Sequence, residues 1–215
     1  MYEYLDLLLA KLKKKLRAEF NRLGLMGFDE LNVVNTKKVT KAMFDRLLSE
    51  NEKVYQKVAD VAYSSAKKKA AGVGYTEEEE QELASGWLVG VLLAYNLVTG
   101  YLYDREAERK RLRLNEQILT AREYDSRDMY NESLRKTANL WWTQTLQYGV
   151  DIVDKATLQA YKDMGVKEVR WVAMDDGREC KVCRGRHNKI YKISEVPEKT
   201  HYGCRCYLEP VKTEE

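Results

Sequence analysis

Apolar residues recur at helical spacing from the start of the chain. Leu5, Leu8, Leu9, Leu12, Leu16 and Phe20 share one broad face of residues 2–22, and Lys11, Lys13, Lys14, Lys15 and Arg17 fill the rest. This predicts an amphipathic helix with a solvated basic face, closed by Gly24 and Gly27. The same period predicts a second helix from Thr36 to about Ala71, with Met43, Leu47, Val54, Val58 and Val61 as its inner stripe and Gly72-Val-Gly74 as its stop. Thr76-Glu-Glu-Glu79 is a capping box whose acidic first turn suits a helix N-terminus. From Leu83 to Tyr103 there are 21 residues without a charge, including Gly86 and Gly90 at GxxxG spacing. That length would span a bilayer. Ser85, Asn96, Thr99, the glycines and the tyrosines dilute its hydrophobicity, however, and the helix continues into Asp104-Arg-Glu-Ala-Glu-Arg-Lys-Arg. We read it as the buried central helix of a bundle. Residues 105–114 carry Glu106/Lys110 and Glu108/Arg111 at the spacing of a solvated helical face. Residues 117–164 hold two further helical segments, with Trp141, Trp142 and Tyr148 for the core, Gly149 as their break and Gly165 as their end.

After Gly165 the period shortens. Val166, Val169, Trp171 and Ala173 define one face of a strand, Asp175-Asp-Gly177 a turn, Lys189-Ile-Tyr-Lys-Ile193 a second strand, and residues 205–211 a third. Composition agrees with a helical body and a distinct C-terminal end. Only two prolines occur, Pro197 and Pro210, so the long stretch before Pro197 contains no helix breaker of that kind. Charge excludes little: 37 Lys+Arg against 34 Asp+Glu is too even for a dedicated nucleic-acid binder. Fifteen tyrosines and four tryptophans exceed what helix packing requires and suggest surfaces that meet partners.

All four cysteines and both histidines lie between Cys180 and Cys206. They read Cys180-Lys-Val-Cys183 and His201-Tyr-Gly-Cys204-Arg-Cys206, two short pairs about twenty residues apart, the arrangement one tetrahedral ion requires. Five donors compete for four positions. Cys180, Cys183, His201 and Cys204 give two matching pairs and are the favoured set; Cys206 is the substitute, since residues i and i+2 of an extended chain face the same way. His187, in a Lys/Arg-rich turn, is expected to face water. Two disulfides, or redox-active thiols, are the alternatives to zinc. The N-terminus MYEYLDLLLAKLKKKL lacks the basic start of a secretory leader, and without secretion close-set thiols favour metal over cross-links. Four protein ligands leave no open position, so the zinc is expected to be structural. The fold class expected is α+β: a mostly helical bundle of long antiparallel helices over residues 1–164, then a small α+β module over residues 165–215 with a metal-pinned β-hairpin.

The order Gly165-Val-Lys-Glu-Val-Arg-Trp171, Asp175-Asp-Gly177, Cys180-Lys-Val-Cys183, Gly185, Lys189-Ile-Tyr191 and His201-Tyr-Gly-Cys-Arg-Cys206 resembles the phage Mu F-like minor head protein family, the head-morphogenesis family of tailed bacteriophages. The match covers residues 165–211. The family's last block is usually His-Pro-Asn-Cys-Arg-Cys; Tyr202-Gly203 here keeps the proposed ligands and is expected to loosen the turn. The resemblance implies a low-copy virion protein, made in the host cytoplasm, that joins portal or capsid subunits inside the head and acts in assembly, DNA packaging or delivery. Some relatives carry an extra C-terminal toxin or enzyme domain; with the chain ending at Glu215, none is expected.

Residue chemistry points the same way. No Ser/His/Asp set and no phosphate-cradling Gly-x4-Gly-Lys-Ser/Thr loop occurs, and Asp175-Asp176 read as turn formers, so neither an enzyme nor a small-molecule substrate is expected. Arg178, Lys181, Arg184, Arg186, Lys189 and Lys192 make the metal hairpin basic. They are candidate contacts to DNA phosphates or to an acidic portal surface, the former being the alternative reading of a zinc-ribbon DNA binder.

Overall fold

The computed structural model describes residues 2–76, 101–174, 180–201 and 203–212. Most of Thr76-Glu-Glu-Glu79, nearly all of the Leu83–Tyr103 stretch, the Asp175-Asp-Gly177 turn and Arg178 lie outside the described residues. Among the described residues no helix is long and apolar enough to cross a membrane. Among the described residues four long helices come first: α1 (Tyr2–Gly24), α2 (Val33–Gly72), α3 (Tyr101–Glu123) and α4 (Arg127–Asp163). They are followed by strand β1 (Glu168–Val172), the short helix α5 (Lys181–Arg186), β2 (Ile190–Lys192) and β3 (Tyr207–Val211). The fold is α+β, mostly helical with a small C-terminal antiparallel sheet, as the sequence pattern predicts.

Helix boundaries follow local chemistry. α2 begins earlier than Thr36 because Asn32 caps it, its Oδ1 accepting the Asn35 N–H at 2.9 Å. Its end is where the glycines put it. Gly74, at φ +95°, occupies the left-handed position of a Schellman cap in which Tyr75 N–H reaches Ala70 O and Gly74 N–H reaches Ala71 O. The same double bond ends α4 at Gly165, at φ +67°. Residues 117–164 break elsewhere than expected. α4 passes through Gly149, which is buried, and the break lies at residues 124–126. There Asp125 takes the left-handed conformation (φ 48°), Ser126 N–H closes a cap on Ala121 O at 2.8 Å, and Ser126 Oγ accepts the Met129 N–H. A helix-interior glycine costs about 1 kcal/mol, which packing of a long helix outweighs; a capped turn ends a helix outright.

Contacts group the chain into two compact units. One comprises residues Asp6–Tyr55 and Asn96–Leu146 and, among its described residues, is helical apart from its turns. The expected α1 stripe from Leu5 to Phe20 is buried throughout. Phe44 meets Trp141 edge-on at 5.0 Å, and buried polar pairs tie the helices together: Thr40 Oγ1 to Asn115 at 2.5 Å, and Asn51 Nδ2 to Thr145 Oγ1 at 3.1 Å. Lys110 and Arg111, expected on a solvated face, are largely covered, with Arg111 held by Glu108.

The other unit comprises Met1–Leu5, Gln56–Tyr95 and Gln147–Glu215. Here the inner stripe of α2 departs from the expected one. Val54 and Val61 are only half-buried, and Ala59, Ala62, Tyr63, Ala66 and Ala70 take the covered side. The sheet order is β2-β1-β3, all antiparallel. Val169 and Trp171 of the central strand are buried, with Val166 and Ala173 extending their face as the alternation predicts. On the opposite face Glu168 stands across from Lys192, and Arg170 from Glu209, placing unlike charges opposite one another. Pro210 sits in edge strand β3, where a missing N–H costs least. Tyr75 and Tyr161 hydroxyls donate to the Val211 and Leu208 carbonyls at 2.8 and 3.1 Å, fastening β3 to the residue after the α2 cap and to α4.

Candidate metal centre

Cys180 is the N-cap of α5, and its Sγ accepts the Cys183 N–H at 3.4 Å. The Cys-x2-Cys knuckle is therefore one helical turn, which brings both sulfurs to one side. The far end of α5 is fastened to β1. Trp171 N–H donates to Lys189 O at 2.9 Å, Asn188 N–H returns to Trp171 O at 2.8 Å, and His187 Nδ1 accepts the Ala173 N–H at 3.1 Å. His187 is exposed, as expected, and its Nδ1 is already committed.

The second half of the site comes from the loop before β3. Lys199 Nζ donates to Asp154 Oδ1 at 2.7 Å and to Cys204 O at 3.1 Å, and Gly203 N–H donates to Gln147 Oε1 at 2.7 Å. Gly203 lies at φ 64°, a conformation glycine adopts freely and asparagine tolerates better than most residues. The Gly203 for Asn exchange thus suits the backbone, and α4 holds the turn rather than leaving it loose.

Cys183, Cys204 and Cys206 are buried and form a small core with Trp171 and Ala173, against which Cys180, Tyr191, Val196 and Leu208 pack. None of the four cysteines is in a disulfide. The donor atoms fall into two triads, Cys180/Cys183/His201 and Cys183/Cys204/Cys206, each with its atoms within 4.8 Å of one another. These groups are close enough to hold a metal ion. Metal–sulfur bonds of about 2.3 Å and metal–nitrogen bonds of about 2.0 Å give tetrahedral edges of about 3.8 Å (S to S) and 3.5 Å (S to N). Cys183 Sγ lies 3.6 Å from Cys204 Sγ and 3.5 Å from His201 Nε2. Of the favoured four, Cys180, Cys183 and His201 fall in one triad, and Cys204 joins through Cys183 in the other.

The thiols divide electrostatically. The Cys183 backbone N–H and then the Thr200 hydroxyl hold Cys180 down at about 6. Burial pushes Cys183 well up, and its thiol neighbours act the same way. Burial also raises Cys204, against the Cys206 backbone N–H and the Lys199 charge. Left alone the buried pair stays protonated, whereas a bound dication deprotonates a coordinating thiol outright.

The described basic residues differ in their surroundings. Lys181, Arg184, Lys189 and Lys192 are exposed. Arg186 is engaged within the module, its guanidinium over the Trp171 ring at 5.1 Å and donating to Glu198 O at 2.8 Å. Trp171, Thr200, Lys199, Gln147 and Asp154 support the site without having been singled out for it. No local signal marks the last two, which reach it from α4.

Long helices, a small three-stranded sheet and a cluster of cysteines and a histidine define a thiol-rich α+β protein with the donors for a metal. Residues 106–209 match the family described as Phage Mu protein F like protein. The match starts in α3, well upstream of the 165–211 block that carries the motif, so α3, α4 and the sheet form one family region. No curated protein and no solved structure matches the chain.

Proposed function

We propose that this protein is a phage minor capsid, or head-morphogenesis, protein. It is present in few copies, associates with the portal vertex inside the head, and acts in capsid assembly, DNA packaging or delivery. The family match joining two long helices to the cysteine module carries this reading. The role is structural rather than enzymatic. Residues 1–164 dock on portal or capsid subunits, and residues 165–215 form a rigid tip around a structural zinc ion held by Cys180, Cys183, His201 and Cys204. The metal supplies much of the stability of residues 180–206, the part of that tip which the β1–β3 pairing does not hold. The exposed Lys181, Arg184 and Lys189, with Arg178, offer positive charge to an acidic subunit surface.

Co-expression with the phage's portal and major capsid subunits, then gradient fractionation, tests the reading. The protein is expected to sediment with head particles, at few copies each, with zinc in about equal amount. Recovery only as free protein would overturn it. Affinity for free duplex DNA that falls steeply with salt and with Arg184→Glu would favour the DNA-binding alternative instead.

A further inference from the structure

We infer that the metal shell has one replaceable position, which His201 and Cys206 can each fill around a fixed hub at Cys183. The inference rests on the metal reading above and concerns which side chains complete it.

Five donors surround a site that takes four, and their geometry is not symmetrical. Cys183 alone belongs to both triads. It is fully buried and sits on α5, whose two ends are tied by the Cys180 cap and by the backbone bonds to β1. Its backbone is thereby held in place, and its sulfur is enclosed in the small core with Trp171, Cys204 and Cys206. Cys180 is fixed by the same turn. Cys204 is held through its carbonyl by Lys199 and lies within a tetrahedral edge of Cys183. His201 and Cys206 differ from these three. Each completes a different triad with Cys183, from opposite ends of the 201–206 turn. His201 stands in a segment without helix or strand and is partly exposed. Cys206 is buried in the small core, and it lines a cavity of about 380 Å³ with Trp171, Leu158 and Val196.

Charge decides which of the two is resident. Three thiolates and a neutral imidazole around a dication leave one net negative charge, four thiolates leave two, and the second is costly in a cluster packed against Trp171. His201 therefore binds in the native protein and Cys206 stands in reserve.

Zinc stoichiometry after dialysis against a competing chelator, with absorption of the cobalt-loaded full chain, tests this. His201→Ala and Cys206→Ser should each retain about one ion per chain, and the double variant should retain none. Thiolate-to-cobalt absorption should rise in His201→Ala as a fourth sulfur enters, and stay unchanged in Cys206→Ser. Cys183→Ser should lose the ion although both alternates remain. Loss of metal in His201→Ala, or its retention in the double variant, overturns the inference while leaving a metal-binding protein. Absence of metal from the unmodified chain overturns the metal reading itself. Circular dichroism of the helices shows whether the double variant remains folded, and the cobalt spectra of the single variants decide the matter if it does not.

Discussion

Tyr130 is fully buried in the helical unit, and its hydroxyl donates to the Leu23 carbonyl at 2.5 Å while Phe28 packs on its ring at 5.6 Å. Burial pushes its pKa up to about 12, against the nearby Arg127 charge. Folding thus favours the neutral phenol, and its contribution is whole below pH 10 and is lost as pH rises toward 12. Tyr130→Phe removes one donor from the Leu23 carbonyl, which keeps the Met26 N–H at 3.2 Å, and should cost about 1 kcal/mol at pH 7. In urea denaturation the difference from the parent should narrow between pH 10 and 12; a constant difference would mean the hydroxyl does not titrate with unfolding. At the proposed metal centre the same scale applies to Cys183. As the donor common to both triads, its replacement by serine should abolish zinc binding as read by elemental analysis.

Helix ends supply the element-scale predictions. Gly74, Asp125 and Gly165 hold equivalent left-handed positions in Schellman caps, and only Asp125 bears a Cβ there. Asp125→Gly should stabilise the chain by up to about 1 kcal/mol, and Gly165→Ala should destabilise it by about as much, both measured by chemical denaturation. Equal effects of the same sign would contradict this account of the turns. Helices α1 and α2 are clipped by Glu19, whose carboxylate accepts from Arg46 Nε at 3.1 Å and from a terminal nitrogen at 2.8 Å. The Arg46 hydrogen bond first, and then Arg22, hold the Glu19 carboxyl below its usual value, against burial. The clip stabilises the fold above about pH 4.5, and that contribution is lost as pH falls through the lowered value. Glu19→Gln should therefore cost up to about 1 kcal/mol at pH 7, with the difference vanishing in acid.

For the molecule as a whole, chelation should act unevenly. β3 is held by Tyr75 and Tyr161 and paired along its length with β1, none of which requires a metal. Hydrogen exchange after zinc removal should therefore speed up over residues 180–206 and leave β1, β3 and the long helices protected. Uniform loss of protection would mean that the metal organises the entire unit. Much of this architecture was legible in the chain. The Leu5 to Phe20 stripe, the stops at Gly74 and Gly165, the Val166 to Ala173 strand face and the Cys/His pairs are recorded in nearest-neighbour spacing, because a helix repeats every 3.6 residues, a strand every two, and a knuckle closes within a turn. The break at Asp125 instead of Gly149 was less visible, since whether a glycine ends a helix depends on what packs around it. The Lys199 to Asp154 and Gly203 to Gln147 clamps, the seat of Arg186 on Trp171 and the placing of Cys183 within both triads were not visible at all. Periodicity and spacing depend only on residues a few positions apart, so one strand of text carries them. A partner reached across tens of residues is chosen by packing and exists only once the chain has folded.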